Sequence, residues 1–185
     1  ADLLGDLDAE QARLDALRAD LAGAFEQAQD REAELEGRQA RKRSVDREGQ
    51  RGTYSCPLAH PFSFRDTWGA PRSGGRRHKG VDMFAPMGAD AYAITDGVIA
   101  RHSTSRLGGL GLYLAGDDGN VYYYAHLQEI LPTYRPGARV ESGERIARNG
   151  DSGNAYGGAP HIHMEVRPGG GPNVNPYPFT AAACF

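Results

Sequence analysis

The sequence is organised around the hexapeptide His161-Ile162-His163-Met164-Glu165-Val166. Its polar and apolar residues alternate, it ends in a β-branched valine, and Arg167-Pro168-Gly169 follows, which favours a β-strand over a helix. Residues i and i+2 of a strand point to the same face. We therefore predict that the imidazoles of His161 and His163 lie side by side while Ile162 and Met164 face a core. Such a pair can share a metal ion, although an isolated His-x-His is more often a pair of histidines on a solvated strand face.

Charge is unevenly distributed along the 185 residues. Residues 1–40 carry 11 acidic and 4 basic side chains, residues 41–51 carry 2 and 5, and the remainder carries 11 and 12. This large C-terminal part lacks the basic excess of a nucleic-acid-binding protein, so we predict no nucleic acid partner. The sequence contains no recognisable secretory signal and no apolar run long enough for a membrane span. The acidic start at Ala1-Asp2-Leu3 is typical of a mature or trimmed N-terminus.

The first 40 residues predict one long, coiled-coil-like helix. Proline is absent, and apolar residues recur every seven positions at Leu7, Leu14, Leu21, Ala28 and Leu35. Such a stripe must pair with another helix, a second copy or the rest of the chain, so we predict either self-association, a coiled-coil partner or a spacer. Residues 41–53 are polar, charged and aperiodic, which indicates a linker.

Residues 54–185 predict a mainly β domain. Of the 25 glycines, all but four lie after residue 51, and short apolar runs alternate with turn signals such as Thr95-Asp96-Gly97. We predict an antiparallel β-sheet or sandwich with no helix of ordinary length, apart from a turn or two near residues 127–131. The predicted strands are residues 91–95, 97–102, 111–115, 120–126 and 145–148.

The two cysteines, Cys56 and Cys184, stand at opposite ends of this domain, and neither is near a histidine. Because the close spacing of a zinc-binding pair is absent, we predict a disulfide, with two buried thiols as the alternative. Closing so long a loop stabilises a fold by roughly 4 to 5 kcal/mol in the chain-entropy model. A disulfide also indicates a location outside the cytosol.

Three further residues are candidates for a metal or catalytic site. His78 and Asp82 are four residues apart around Gly80-Val81, and Asp82 lies within an otherwise apolar run. A carboxylate buried there requires a cation or a tight hydrogen-bond network. His126 ends the predicted strand 120–126, where alternation places it on the face of Tyr122 and Tyr124.

Together these motifs resemble the lysostaphin/LytM-type zinc endopeptidases, which cut peptidoglycan peptides. The motifs match in order from roughly residue 64 to residue 176, and any one of them alone would be a weak signal. They comprise Trp68-Gly-Ala-Pro-Arg72, His78-Lys-Gly-Val-Asp82, Asp96-Gly-Val98, Tyr123-Tyr-Ala-His126, Asn149-Gly-Asp-Ser-Gly-Asn154 and His161-Ile-His163. The resemblance does not extend to the N-terminal helix or the linker.

The resemblance implies one zinc ion per chain, held by His78, Asp82 and His163. It implies that His126 and His161 are catalytic, positioning or deprotonating a water and stabilising or protonating the tetrahedral intermediate. Two histidines and one carboxylate with an open fourth position agree with a catalytic rather than a structural zinc site. The sequence leaves open which of the two histidines acts as the general base.

The remaining candidates carry weaker signals. His60 and His102 match no ligand position and are predicted to be structural or exposed. Glu165 alternates onto the face of His163 and is either a partner that orients an imidazole or part of a surface salt bridge. The glycine-rich stretches 107–111 and 154–160 predict loops lining a peptide groove, with Asn154 and Tyr156 as candidate substrate contacts.

The leading functional hypothesis is a zinc endopeptidase acting on peptidoglycan peptides outside the cytosol. The alternative is a non-catalytic or self-inhibited regulator of another wall hydrolase, since some coiled-coil members of the family have lost ligands. All three ligand positions and both catalytic histidines are filled here, which favours the enzyme. The sequence does not indicate which wall bond is cut.

Overall fold

The computed structural model describes residues 54–185 and eight residues of the N-terminal segment: Glu10, Gln11, Arg13, Leu14, Leu17, Arg18, Leu21 and Ala24. These eight are helical and exposed. The rest of the predicted coiled coil, and the linker at 41–53, lie outside the described residues and stay predictions. The chain divides into two units, residues 1–51 and 52–185. Among the described residues, no helix is long and apolar enough to cross a bilayer.

Residues 54–185 form a mainly antiparallel β domain, which confirms the predicted fold class. Its strands are β1 (Val81–Phe84), β2 (Asp90–Tyr92), β3 (Gly97–Ser105), β4 (Gly109–Gly116), β5 (Asn120–Leu127), β6 (Glu129–Ile130), β7 (Arg139–Val140), β8 (Arg145–Arg148) and β9 (His161–Pro168). The five predicted strands overlap β2, β3, β4, β5 and β8. Short 3₁₀ turns lie at Ser73–Gly75 and Gly153–Ala155, and the helix α1 spans Tyr177–Cys184.

The strands form two sheets around one core. One sheet has the order β1-β9-β5-β4-β3-β7 and the other the order β2-β8-β6, with every pair antiparallel. Fully buried residues from both sheets belong to the same apolar cluster, among them Leu114 and Ile162 of the first sheet and Ile146 of the second. The hydroxyl of Tyr124 in β5 donates to the carbonyl of Tyr92 in β2 at 3.1 Å. Burial of this shared face fixes which side of β9 points outward.

Two local predictions are wrong. Residues 129–130, where a helical turn was expected, form strand β6, which pairs with β8. Helix α1 lies where no helix was predicted. Its eight residues follow Asn175-Pro176 and contain Pro178, and prolines this close together argue against a helix when only the sequence is considered. Pro178 is tolerated because it falls in the first turn, where no intrahelical donor is needed.

The disulfide predicted between Cys56 and Cys184 is present, with the two Cα atoms 4.5 Å apart. It joins residues 128 positions apart and fastens the last turn of α1 to the segment that leads into the sheets. This one bond therefore links a segment near the start of the β domain to its last helix.

Candidate metal centre and active site

Strand pairing places Asp82 beside the histidine pair. β1 and β9 are antiparallel neighbours, and in their register Asp82 lies opposite His163. Ile162 and Met164 are fully buried in the core. Because side chains alternate along a strand, His161 and His163 project from the opposite face, as the sequence predicted. Both line an open groove on the surface of the sheet.

Three candidate ligand atoms converge on one point. Oδ1 of Asp82 lies 3.0 Å from Nε2 of His78 and 2.9 Å from Nδ1 of His163. The two imidazole nitrogens are themselves 2.9 Å apart. Three electron-rich atoms this close together repel one another, and a cation bound between them would stabilise the arrangement. This donor set of two imidazoles and one carboxylate suits a zinc ion.

The carboxylate of this cluster is strongly held in its ionised form. Burial by itself would raise the pKa of Asp82, but its close contacts with the imidazoles of His163 and His78 outweigh burial and lower that pKa far below its ordinary value. Only 9% of Asp82 is exposed. An anionic oxygen is therefore already aimed at the point where the two imidazole nitrogens meet.

Outer partners fix two of the candidate ligands from behind. Nδ1 of His78 lies 3.0 Å from the carbonyl oxygen of Thr67, which leaves Nε2 facing the cluster. Arg72 contacts Oδ2 of Asp82 through its guanidinium, so Oδ1 is left for the two histidines. Hydrogen bonds of this kind set the tautomer and orientation of metal ligands. Neither Thr67 nor Arg72 is among the site residues predicted from the sequence, although Arg72 ends the motif Trp68-Gly-Ala-Pro-Arg72.

Glu165 provides the equivalent partner for His163. Its Oε1 lies 3.3 Å from Nε2 of His163, and its Oε2 accepts hydrogen bonds from Nη2 and Nε of Arg167 at 2.7 and 3.2 Å. Burial would raise the pKa of Glu165, yet these contacts with His163 and Arg167 lower it to about 2. Glu165 thus orients an imidazole, as one of the two interpretations held, and its pairing with Arg167 is buried rather than a surface salt bridge.

His126 and His161 face the groove beside this cluster. Their ring centroids are 4.8 Å apart. Nδ1 of His126 donates to the carbonyl oxygen of Ser152 at 2.7 Å, and Nδ1 of His161 donates to that of Ala159 at 2.8 Å. With Nδ1 engaged as a donor, Nε2 of each neutral ring is the proton acceptor. Burial is the main cause that lowers the pKa of His126 to about 4, so this ring is neutral near pH 7.

The predicted face of His126 on β5 is wrong. Tyr122 and Tyr124 are fully buried in the core, whereas His126 lines the groove together with Tyr123 and Ala125. The cause is a break in the alternation. His126 has a left-handed φ of 61°, and the register between β4 and β5 shifts next to it. A bulge of this kind changes the direction of a side chain, so that His126 points to the groove face although regular alternation would turn it to the core face.

The groove above these side chains has a volume of about 750 Å³. Asn154 lines it, as do Leu107 and Gly108 of the predicted glycine-rich loop. Tyr156, the other candidate substrate contact, is 84% exposed and lies outside the lining. His60 and His102 also lie outside the groove lining. The ring of His60 packs against Phe62, and Nε2 of His102 donates a hydrogen bond to the carbonyl oxygen of Tyr134 at 2.7 Å.

Gly80 allows β9 to approach the segment that carries His78 and Asp82. A Cβ atom on Gly80 would lie 2.5 Å from the His163 ring and 2.5 Å from the carbonyl oxygen of Met164. Real Cβ atoms essentially never come so close, so any larger residue would displace the imidazole. The pair Gly80-Val81 favours an extended or bent segment over a helix, but no local sequence pattern predicts this close approach to β9.

The chain is similar to known proteins in sequence and in fold. The model of peptidase family M23 matches residues 76–176, which is more than half of the chain. The chain belongs to peptidase family M23. This confirms the resemblance to lysostaphin and LytM-type proteins. The β domain is similar to the catalytic domain of lysostaphin from Staphylococcus simulans, with a TM-score of 0.57, 27% identity and coverage of 65% of this chain and 92% of that one.

Two relatives of the chain have names that include the word endopeptidase. The chain is 31% identical over 139 residues to the L-Ala–D-Glu endopeptidase of Bacillus subtilis, covering 70% of this chain and 43% of the relative. It is 33% identical over 90 residues to the peptidoglycan DD-endopeptidase ShyC of Vibrio cholerae, covering 49% of this chain and 20% of the relative. The chain therefore spans less than half the length of either relative.

Proposed function

We propose that this M23 domain is a zinc-dependent endopeptidase that hydrolyses amide bonds in the peptides of bacterial peptidoglycan. The observation that carries the proposal is the convergence of His78 Nε2, Asp82 Oδ1 and His163 Nδ1 at the floor of an open groove. The endopeptidase names of the relatives support the same reaction. These three residues would hold one zinc ion per chain.

When bound there, zinc supplies a nucleophile at neutral pH and polarises the scissile carbonyl. The protein's own contribution is the placement of protons. His126 and His161 present their Nε2 atoms to the groove, and the low pKa of His126 keeps that nitrogen free to accept a proton at pH 7. An imidazole that accepts a proton from water at Nε2 can afterwards return it to the leaving nitrogen.

We further propose that the protein acts outside the cytosol. The disulfide between Cys56 and Cys184 supports this location, because such bonds persist in oxidising compartments. The name of the Vibrio cholerae relative includes peptidoglycan, which also lies outside the cytosol.

Metal analysis combined with variants tests the proposal. Purified protein is expected to contain one zinc per chain and to release new amino groups from sacculi. His163→Ala should lose both zinc and hydrolysis. His126→Ala and His161→Ala should keep zinc but lose roughly 10²- to 10⁴-fold in rate, the usual contribution of general acid–base groups.

A zinc-loaded wild-type protein that releases no amino groups from any wall preparation would contradict the enzyme hypothesis. That result would support the non-catalytic or self-inhibited regulator instead. Adding the protein to a separate wall hydrolase and measuring its rate would then detect such regulation directly.

A further inference from the structure

One wall of the groove is cationic and the other is neutral. Four basic side chains line the first wall over eight residues: Arg72, Arg76, Arg77 and Lys79. The lining residues from the end of β3, the β3–β4 turn and the 3₁₀ turn Gly153–Ala155 carry no charge: Ser105, Leu107, Gly108, Asn154 and Ala155. The strand order places the β3–β4 turn on the other side of β9 and β5 from β1, and this turn therefore faces the cationic wall. A peptide lying above the candidate metal centre therefore has a row of positive charges along one side only.

Only part of this positive charge is neutralised by the protein. Two carboxylates line the groove, and both are engaged, Asp82 by Arg72 and Glu165 by Arg167. Within residues 54–185, no carboxylate lies within ion-pair distance of Arg76, Arg77 or Lys79. The groove thus retains an uncompensated positive charge beside the candidate active site.

The two arginines are held in place by neutral acceptors. Nε and Nη2 of Arg76 donate to the carbonyl and hydroxyl oxygens of Ser73 at 3.1 and 3.3 Å. Nη1 of Arg77 donates to the carbonyl oxygen of Gly69 at 3.2 Å. These bonds order the side chains without cancelling their charge, and each guanidinium retains N–H groups for a ligand. Preorganisation of this kind lowers the entropic cost of binding.

We propose that Arg76 and Arg77, supported by Lys79, form a carboxylate-binding subsite. The preferred substrate is then an acidic peptide with a free carboxylate next to the scissile bond, rather than a neutral oligoglycine bridge. Guanidinium groups bind carboxylates through paired, charge-assisted hydrogen bonds, and a cleft of one sign concentrates ligands of the other. This inference rests on the proposed peptidase function and names its substrate class.

Two synthetic wall peptides test the inference with the full chain. One carries D-glutamate and diaminopimelate with free carboxylates, and the other carries the same residues as carboxamides. Pentaglycine is the neutral reference. We expect wild-type protein to bind and cleave the acidic peptide at least about 10-fold better than its amide, which corresponds to one good charge-assisted contact.

The variant Arg76→Gln/Arg77→Gln should abolish this preference. Its kcat/KM for the acidic peptide should fall roughly 10- to 100-fold, and for the amide peptide by less than about 2-fold. The matched control, Arg65→Gln/Arg135→Gln, removes the same charge from exposed positions outside the groove lining and should leave the preference unchanged. Zinc content and thermal unfolding, measured for each variant, exclude misfolding.

Equal use of both peptides by the wild type, or equal losses on both in Arg76→Gln/Arg77→Gln, would overturn the subsite. Binding of both peptides to His126→Ala by calorimetry decides the question even without hydrolysis, since equal affinities would also overturn it. Absence of hydrolysis of every peptide and of sacculi, with the acidic peptide still bound more tightly, would contradict the proposed function while leaving the subsite intact.

Discussion

Nε2 of His163 donates a hydrogen bond to Oε1 of Glu165 across 3.3 Å, while Nδ1 of the same ring lies against Asp82. The carboxylate is buried and is in turn held by Arg167. This contact assigns the proton of the ring to Nε2 and thereby leaves the Nδ1 lone pair facing the candidate metal centre.

Replacing Glu165 by glutamine should weaken zinc binding. The amide lacks the negative charge that strengthens the imidazole as a ligand, so we expect affinity to fall roughly 10- to 100-fold. Competition with a chromophoric zinc chelator measures this directly. Glu129→Gln is the matched control, since Glu129 is exposed and pairs with Arg148 away from the groove. Equal affinities of Glu165→Gln and wild type would show that the contact does not orient His163.

Gly80→Ala should damage the same centre by a steric route. Its new methyl group would meet the His163 ring and the Met164 carbonyl at 2.5 Å, so β9 or the ring must move. We expect a loss of roughly 1 to 3 kcal/mol in stability and a marked loss of zinc affinity. The control is Gly171→Ala, where the nearest atom, the Pro168 carbonyl oxygen, lies at 3.2 Å. Unchanged zinc binding in Gly80→Ala would contradict this packing.

Removal of the disulfide should destabilise the β domain. Because Cys56 and Cys184 are separated by 128 positions, their bond restricts the unfolded chain strongly. We expect Cys56→Ser/Cys184→Ser to lower the free energy of unfolding by roughly 4 to 5 kcal/mol in the chain-entropy model. Urea denaturation with and without reductant measures this loss. The double variant should be insensitive to reductant, and an equally stable double variant would refute the prediction.

Asp118→Asn should change how stability depends on pH. Burial would raise the pKa of Asp118, but hydrogen bonds from Tyr122, Asn120 and Tyr54 together lower it. A carboxyl group with a lowered folded-state pKa stabilises the fold above its unfolded pKa of about 3.9, and this contribution disappears as the pH falls through the folded-state value. At pH 7 we expect a loss of about 1 kcal/mol in the variant, typical of a broken hydrogen-bond network at an exposed carboxylate.

The measurement for Asp118 is urea denaturation at several pH values. The difference between wild type and Asp118→Asn should be largest near pH 7. It should shrink below about pH 4, where the carboxyl group of the unfolded chain takes up a proton while the folded one is still ionised, and it should be lost as the pH falls through the lower folded-state pKa. Asp117→Asn, which breaks only an exposed ion pair with Arg139, serves as the neighbouring control. A difference that grows on acidification would contradict the assigned sign.

Local patterns predicted much of the β domain. Alternation in residues 161–166 correctly gave a strand with Ile162 and Met164 inward. The same rule failed at His126, where a left-handed residue beside a register shift reverses the face. Helix α1 escaped prediction because eight residues are too few to show helical periodicity against a proline-rich start.

The sequence by itself determined which residue types carry the chemistry and which face of β9 holds the histidines, because side-chain direction along a strand depends only on a period of two. Only the tertiary structure decided that Asp82 lies opposite His163, that Arg72 and Glu165 hold these two residues from behind, and that the groove has one cationic wall. Distances between atoms of remote residues are set by strand register, bulges and close packing around Gly80, and no local pattern encodes them.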